Sequence, residues 1–257
     1  MKILFIGDIF GHCGRDAIIS ELPRIKEEYL IDICIANGEN ASGGKGLSLK
    51  AADDILYAGV DLITLGNHVW GNKEIMSFIN DYPVIRPANM STSLPGKGWT
   101  LLETQKGVLG VLNLQGRVYM EPNDSPFTIG LDEINEMRKH TNIIFVDFHA
   151  EASSEKIALA YYLDGMVSFV AGTHTHVQTA DERILQGGTG FITDVGMTGP
   201  FNSIIGMDPK IVVDKFLTNF PRRFEPAKGK AQINAIVIDV DEVTGYTKSI
   251  VRINKIL

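Results

Sequence analysis

The chain has 257 residues, 44% of them apolar and 21% charged, with a formal charge of −7. That length is read as a single domain spanning 1–257, large enough to bury a substantial core. The negative balance argues against a general electrostatic grip on nucleic acid, and no apolar run approaches the roughly 20 residues that would span a bilayer.

In chain order, Ile3-Leu4-Phe5-Ile6 is too short for the apolar core of an export signal and is better used as a first strand. Residues 15–28 carry Ile18, Ile19, Leu22 and Ile25 at helical spacing, with Pro23 predicting a kink or a break. A second strand at 33–36 precedes a helix at 48–58 with Ser48 as N-cap. A third strand at 62–65 precedes a helix at 72–79, closed by Asp81-Tyr82-Pro83. This βαβαβ opening implies a parallel sheet with right-handed crossovers. Cys13 and Cys34 lie on different elements and form no CxxC, so reduced thiols and a cytoplasmic protein are expected.

The pattern changes at Pro83. Strands at 99–103 and 108–113 read as a hairpin around 104–107, followed by a loop without periodicity over 114–126. A helix at 127–139, a strand at 143–148, a helix at 154–163 and strands at 167–171 and 191–194 come next. A helix at 208–217 and a hairpin of 235–240 with 248–253, turning at Thr244-Gly245, end the chain. No repeat, low-complexity tract or linker divides it. The expected fold is α/β, a four-layer α/β/β/α sandwich of two mixed sheets flanked by helices.

The informative residues are polar and sit where the apolar runs end. They are Asp8 after Gly7, Glu39-Asn40 after Gly38, Asn67-His68 after Gly66, His149 in Asp147-Phe148-His149, and His174 and His176 in Gly172-Thr173-His174-Thr175-His176, with the Asp194 turn behind them. In open α/β sheets ligands gather at the carboxyl ends of the strands. Two acids, two Asn and four His delivered to one edge point to a dinuclear metal centre. A Glu can bridge two cations through its two oxygens, and amide oxygens suit hard cations. Imidazoles are common ligands of Zn, Fe and Mn-type sites. An H-x-H pair at a strand end turns its rings to opposite sides, so the two rings can serve different metals. His12 and His140 read as ordinary structural histidines. The loop from Gly38 to Gly46 is not a phosphate-binding P-loop, because it has Glu39 and Gly46 where that motif needs Gly and Ser or Thr. No HExxH is present, so a zincin protease has no footing. The loops 115–120 and 196–201 carry aromatic and polar residues near the expected site, as ligand walls or as subunit contacts, so the substrate-binding residues stay open.

These blocks, in this order, resemble the five blocks of the calcineurin-like metallophosphoesterases. The runs Ile6-Gly7-Asp8-Ile9-Phe10-Gly11, Asn37-Gly38-Glu39-Asn40-Ala41, Gly66-Asn67-His68-Val69-Trp70 and Gly172 to Asp181 look more specifically like the YmdB group within them. The resemblance covers essentially the whole chain. Two departures from the superfamily pattern stand out: Phe10 replaces the usual His of the first block, and Glu39 replaces the usual bridging Asp.

The resemblance implies one metal held by Asp8, Glu39, Asn40 and His176, and a second by Glu39, Asn67, His149 and His174, with Glu39 bridging. It implies two divalent or mixed-valence ions, iron or manganese first and zinc as a further candidate. Such ions, about 3.5–4 Å apart, would share an attacking hydroxide. The implied substrate is a small 2′,3′-cyclic nucleotide, with activity towards RNA and a homo-oligomeric form left open. His68 has no place in either ligand set and is suited to protonate the leaving oxygen, its bland alternative being a group that orients a ligand. The competing expectations are a phosphomonoesterase of the nucleotidase kind and an RNA-associated regulatory protein on the same scaffold.

Overall fold

Period-two alternation sorts the strand side chains into layers. In β1 (Lys2–Ile6), Ile3 and Phe5 face one way while Leu4 and Ile6 face the other. Every one of these four is fully buried, so both faces of the strand are covered. The computed structural model describes residues 1–257. After β1 come β2 (Asp8–Ile9), α1 (Gly11–Tyr29), β3 (Ile33–Asn37), α2 (Leu49–Tyr57), β4 (Leu62–Thr64), β5 (Val84–Ile85), β6 (Trp99–Thr104) and β7 (Gly107–Gln115). The rest is α3 (Pro126–Met137), β8 (Ile143–His149), α4 (Ser153–Tyr162), β9 (Phe169–Thr173), β10 (Arg183–Ile184), β11 (Gly190–Ile192), β12 (Met197–Pro200), α5 (Pro209–Thr218), β13 (Ala231–Val240) and β14 (Thr247–Ile256).

One sheet runs β2-β12-β13-β1-β3-β4-β5 with β14 beside β13, and the other runs β10-β11-β9-β8-β7-β6. β1, β3, β4 and β5 are parallel, while β13 is antiparallel to β1, β12 and β14, so the sheet is mixed. Ile3, Phe5, Ile35 and Ile236 meet Val111, Phe145 and Phe169 between the two sheets. Leu4, Ile6, Cys34 and Ile63 pack under Ile18, Leu22 and Ile25 of α1 and Ile55 of α2. On the far side, Leu112, Leu114, Val146 and Phe148 pack under Ile134 of α3 and Leu159 of α4. These three apolar layers make the expected α/β/β/α sandwich.

Several boundaries differ from the sequence reading. The first helix starts at Gly11 rather than at 15, and it continues through Pro23 without a break. Pro23 would leave the Ile19 carbonyl unpaired, but Ile19 is on the exposed side, where water can take that bond. The segment 72–79 forms only a short 3₁₀ helix (Lys73–Ser77), capped by the Asn72 side chain accepting from Glu74 N–H at 3.0 Å. β7 runs on through Leu114 and Gln115, because these two pair in register with Phe148 and His149. The segment 196–201 is not a loop: Met197–Pro200 is a buried strand between β2 and β13, with Phe201 exposed just beyond its end.

Candidate metal centre

The carboxyl ends of β1, β3, β4, β8 and β9 converge. Asp8, Glu39, Asn40, Asn67, His68, His149, His174 and His176 therefore meet in one cluster. Asp8, Glu39, Asn40 and His149 are almost wholly buried. Their contacts fall into two groups that join at Glu39.

In the first group, three acceptors surround one nitrogen. Glu39 Oε1 lies 3.1 Å from His149 Nε2, and Asn67 Oδ1 and His174 Nδ1 each lie 3.0 Å from it. The opposite nitrogens are occupied elsewhere. His149 Nδ1 is 3.0 Å from Thr173 Oγ1, which donates to Asp147 Oδ1 at 2.7 Å, and His174 Nε2 is 3.1 Å from Glu151. Such outer partners fix which ring nitrogen faces inward. Burial alone would lower His149, but the Glu39 and Asp8 carboxylates outweigh it and raise it to about 9. His174 falls to about 3 through burial and the neighbouring His149 charge. The Glu39 carboxyl is pushed up by burial, yet His149 and His68 hold it well below the usual carboxylate range. One N–H with three acceptors around it is thus a positive centre in a ring of donors.

In the second group, His176 Nε2 lies 3.1 Å from Asn40 Nδ2 and 3.8 Å from Asp8 Oδ1. His176 Nδ1 donates to the Ile205 carbonyl at 3.0 Å, leaving Nε2 to face inward. Asp8 Oδ2 accepts from His174 N–H at 3.2 Å, whereas buried Asp8 Oδ1 has no hydrogen-bond partner. Burial raises the Asp8 carboxyl against the pull of His176 and His149. An orphaned buried carboxylate oxygen beside an inward imidazole fits a cation, because an unpartnered charge there is otherwise costly. Asn40 adds one condition. Its Oδ1 accepts from His68 Nδ1 at 2.7 Å and its Nδ2 faces Glu39 and His176. To serve an ion beside Asp8, the amide must turn its oxygen inward. Amide orientation follows the surrounding network, and a cation reverses that preference.

The two H-x-H rings do diverge, but for a different reason than strand alternation. Both lie beyond β9, with His174 at φ 103° and His176 at φ 65°. His68 donates its backbone N–H to Glu39 Oε2 at 2.8 Å, so it is tied to the shared carboxylate. Phe10, standing where an imidazole would be expected, meets the His176 ring edge-on at 5.8 Å. His12 pairs with Asp16 at 2.6 Å on the surface, and His140 is exposed, both outside the cluster.

Sequence reasoning missed the layer beneath the donors. Asp147 accepts from Thr64, Thr173 and Asn37, and burial raises its carboxyl to about 6 against those bonds and the His149 charge. Lys156 is fully buried with its Nζ 2.7 Å from Asp194 Oδ2. A signal for it existed: Lys156 heads the stripe it shares with Leu159, Ala160 and Leu163, at core-facing spacing. Loop 115–120 does reach the site. Tyr119 and Met120 line a cavity of about 350 Å³ together with Asn67, Glu121 and His174.

The profile of the family described as YmdB-like protein matches residues 4–253. The chain is 50% identical, over 258 aligned positions, to a 2′,3′-cyclic-nucleotide 2′-phosphodiesterase of Bacillus subtilis (strain 168), across 100% of this chain and 97% of that one. A crystal structure of a hypothetical protein from Thermus thermophilus superposes with a TM-score of 0.94 at 43% identity, covering 100% of this chain and 99% of the other. A phosphatase from Mycoplasma pneumoniae superposes with a TM-score of 0.94 at 38% identity, covering 100% and 93%.

Proposed function

This chain belongs to the YmdB-like family, and from that premise we propose that it is a metal-dependent phosphodiesterase that opens 2′,3′-cyclic nucleotides. Asp8, Glu39, Asn40 and His176 hold one ion in this reading, and Glu39, Asn67, His149 and His174 hold the other. The observation that carries it is the division of the donors into two groups sharing Glu39, with Asp8 Oδ1 left unpartnered beside His176. The ions are divalent or mixed-valence, iron or manganese before zinc. When bound, they supply Lewis-acid stabilisation of phosphoryl charge and a water acidic enough to attack at neutral pH.

The chain's own groups do the rest. Glu39 and Asp8 would offset only part of the charge of two divalent ions, so the loaded pocket would stay positive towards a singly charged diester. His149 must release its inward proton to become a ligand, so loading is coupled to proton release. His68 stands on the open side of the cluster. With the Asn40 amide turned towards the ion, its Nδ2 would donate to His68 Nδ1, the two side chains being in hydrogen-bond contact already, and Nε2 would carry the proton handed to the departing ribose oxygen.

A phosphomonoester dianion would need further positive side chains. The buried amine closest to this role, Lys156, is paired with Asp194. The test is kcat/KM for 2′,3′-cyclic AMP, 3′,5′-cyclic AMP and AMP with the manganese-replete protein. The first should be the best substrate. Fastest hydrolysis of AMP would replace this reading with a phosphomonoesterase.

A further inference from the structure

The loop between β7 and α3 holds one aromatic ring out in the open. Tyr119 is 91% exposed and sits at φ 61°, a left-handed conformation that a bulky L residue adopts only at a cost. The loop beneath it is firmly anchored. Both carboxylate oxygens of Glu155 accept from the start of the loop, taking Arg117 N–H at 3.0 and 3.2 Å and Val118 N–H at 3.2 Å. Asn89 ties the two ends together, its Nδ2 donating to the Gln115 carbonyl at 2.8 Å and to the Asp124 carbonyl at 2.9 Å. Asp124 N–H returns a bond to the Asn89 carbonyl at 3.0 Å. The clamp holds in place a strained, solvent-facing aromatic ring that itself adds nothing to the core.

What the ring faces gives its use. Tyr119 borders the cavity of about 350 Å³ whose other walls are Asn67, Met120, Glu121 and His174. Asn67 and His174 belong to the metal cluster, so one end of this cavity is where a reacting phosphate would sit. Glu121 is an acceptor-only carboxylate on its wall, which disfavours a second phosphate there and suits an uncharged group. Resting on the cyclic phosphodiesterase reading, we propose that Tyr119 is the stacking platform for the substrate's nucleobase, with Met120 closing the apolar side. Every base has a π-face, so such a platform tolerates different bases and favours the larger purines. The residue is then a determinant of nucleotide binding that takes no part in bond breaking.

The test compares adenosine 2′,3′-cyclic phosphate with the base-free methyl riboside 2′,3′-cyclic phosphate, using the manganese-replete full chain. Tyr119→Ala should raise KM for the adenosine ester about tenfold with little change in kcat, and leave the base-free ester unaffected. Tyr119→Phe, which keeps the ring, should match the wild type on both. Equal losses on the two esters, or no loss on either, would overturn the platform while leaving the phosphodiesterase reading intact. Failure of the wild type to open either ester would overturn that reading and the platform with it.

Discussion

Thr175 donates its backbone N–H to Asp194 Oδ2 at 3.0 Å, midway between the two histidines that serve opposite ends of the site. Lys156 Nζ reaches the same oxygen at 2.7 Å, and Gly196 N–H reaches Asp194 Oδ1 at 2.9 Å. The H-x-H turn is held from below by one buried carboxylate whose charge is balanced by one buried amine. His174 and His176 both have positive φ, so this anchor stabilises a backbone that would otherwise relax.

Removing one member of that pair strands the other charge in the core. Asp194→Ala and Lys156→Met should each destabilise the protein by about 3–5 kcal/mol. The double variant Lys156→Met with Asp194→Asn should recover much of that loss, since no buried charge remains. Urea unfolding of the three proteins measures the coupling. Single-variant losses under about 1 kcal/mol would mean that the pair behaves like a surface contact.

Glu39 joins the two donor groups, so Glu39→Gln should lower the content of both ions, leaving less than one equivalent in total. Asp8→Asn should weaken mainly the ion it shares with His176, because its contact with the other group is to a backbone N–H, that of His174. Elemental analysis after manganese reconstitution separates the two outcomes. Two full equivalents in Glu39→Gln would remove the bridging assignment.

The donors were legible because each follows an apolar run that has to end where the sheet ends. Alternation of Ile3, Leu4, Phe5 and Ile6 places both faces of β1, and Asp8 follows within two residues. The proposed pairing of the site residues rests on the family's order of blocks, since spacing alone leaves it open. The short strands β2 and β12 were not legible, since two or four residues carry no period; their pairing with each other depends on contacts between distant parts of the chain, as between Asp8 and Met197. The support under the donors was hidden for a similar reason. Thr64, Thr173 and Asn37 look like ordinary strand residues until the sheets stack and bring all three onto Asp147. The side that the Asn40 amide presents is set by its neighbours and is not encoded locally.

Gly66 lets the turn after β4 pass beside an imidazole. A Cβ there would lie 2.3 Å from His149 Cδ2, and the ring is fully buried with nowhere to move. Gly66→Ala should therefore displace His149 and weaken metal uptake about tenfold or more, while far-UV circular dichroism stays that of a folded α/β protein. Full metal affinity in this variant would show that His149 is not held where its role requires.

His68 is the remaining group, and its position separates two uses of an imidazole. It touches both Asn40 and Glu39 through one nitrogen, Nδ1, which lies 2.7 Å from Asn40 Oδ1 and 3.3 Å from Glu39 Oε1, and this leaves Nε2 for the substrate side. A ligand or an orienter would affect every substrate alike, because the ions themselves would shift. A proton donor matters only when the departing oxygen is basic. His68→Ala should keep its full metal content and lose about 10²–10⁴-fold in kcat on 2′,3′-cyclic AMP, whose leaving group is a ribose alkoxide. On bis(p-nitrophenyl) phosphate, whose leaving oxygen is a weak base, the loss should stay below about tenfold. The ratio of the two losses is the readout, since it cancels any general effect on folding or on loading. Equal losses on both esters would make His68 an orienter of Asn40, and a fall in metal content would make it a ligand.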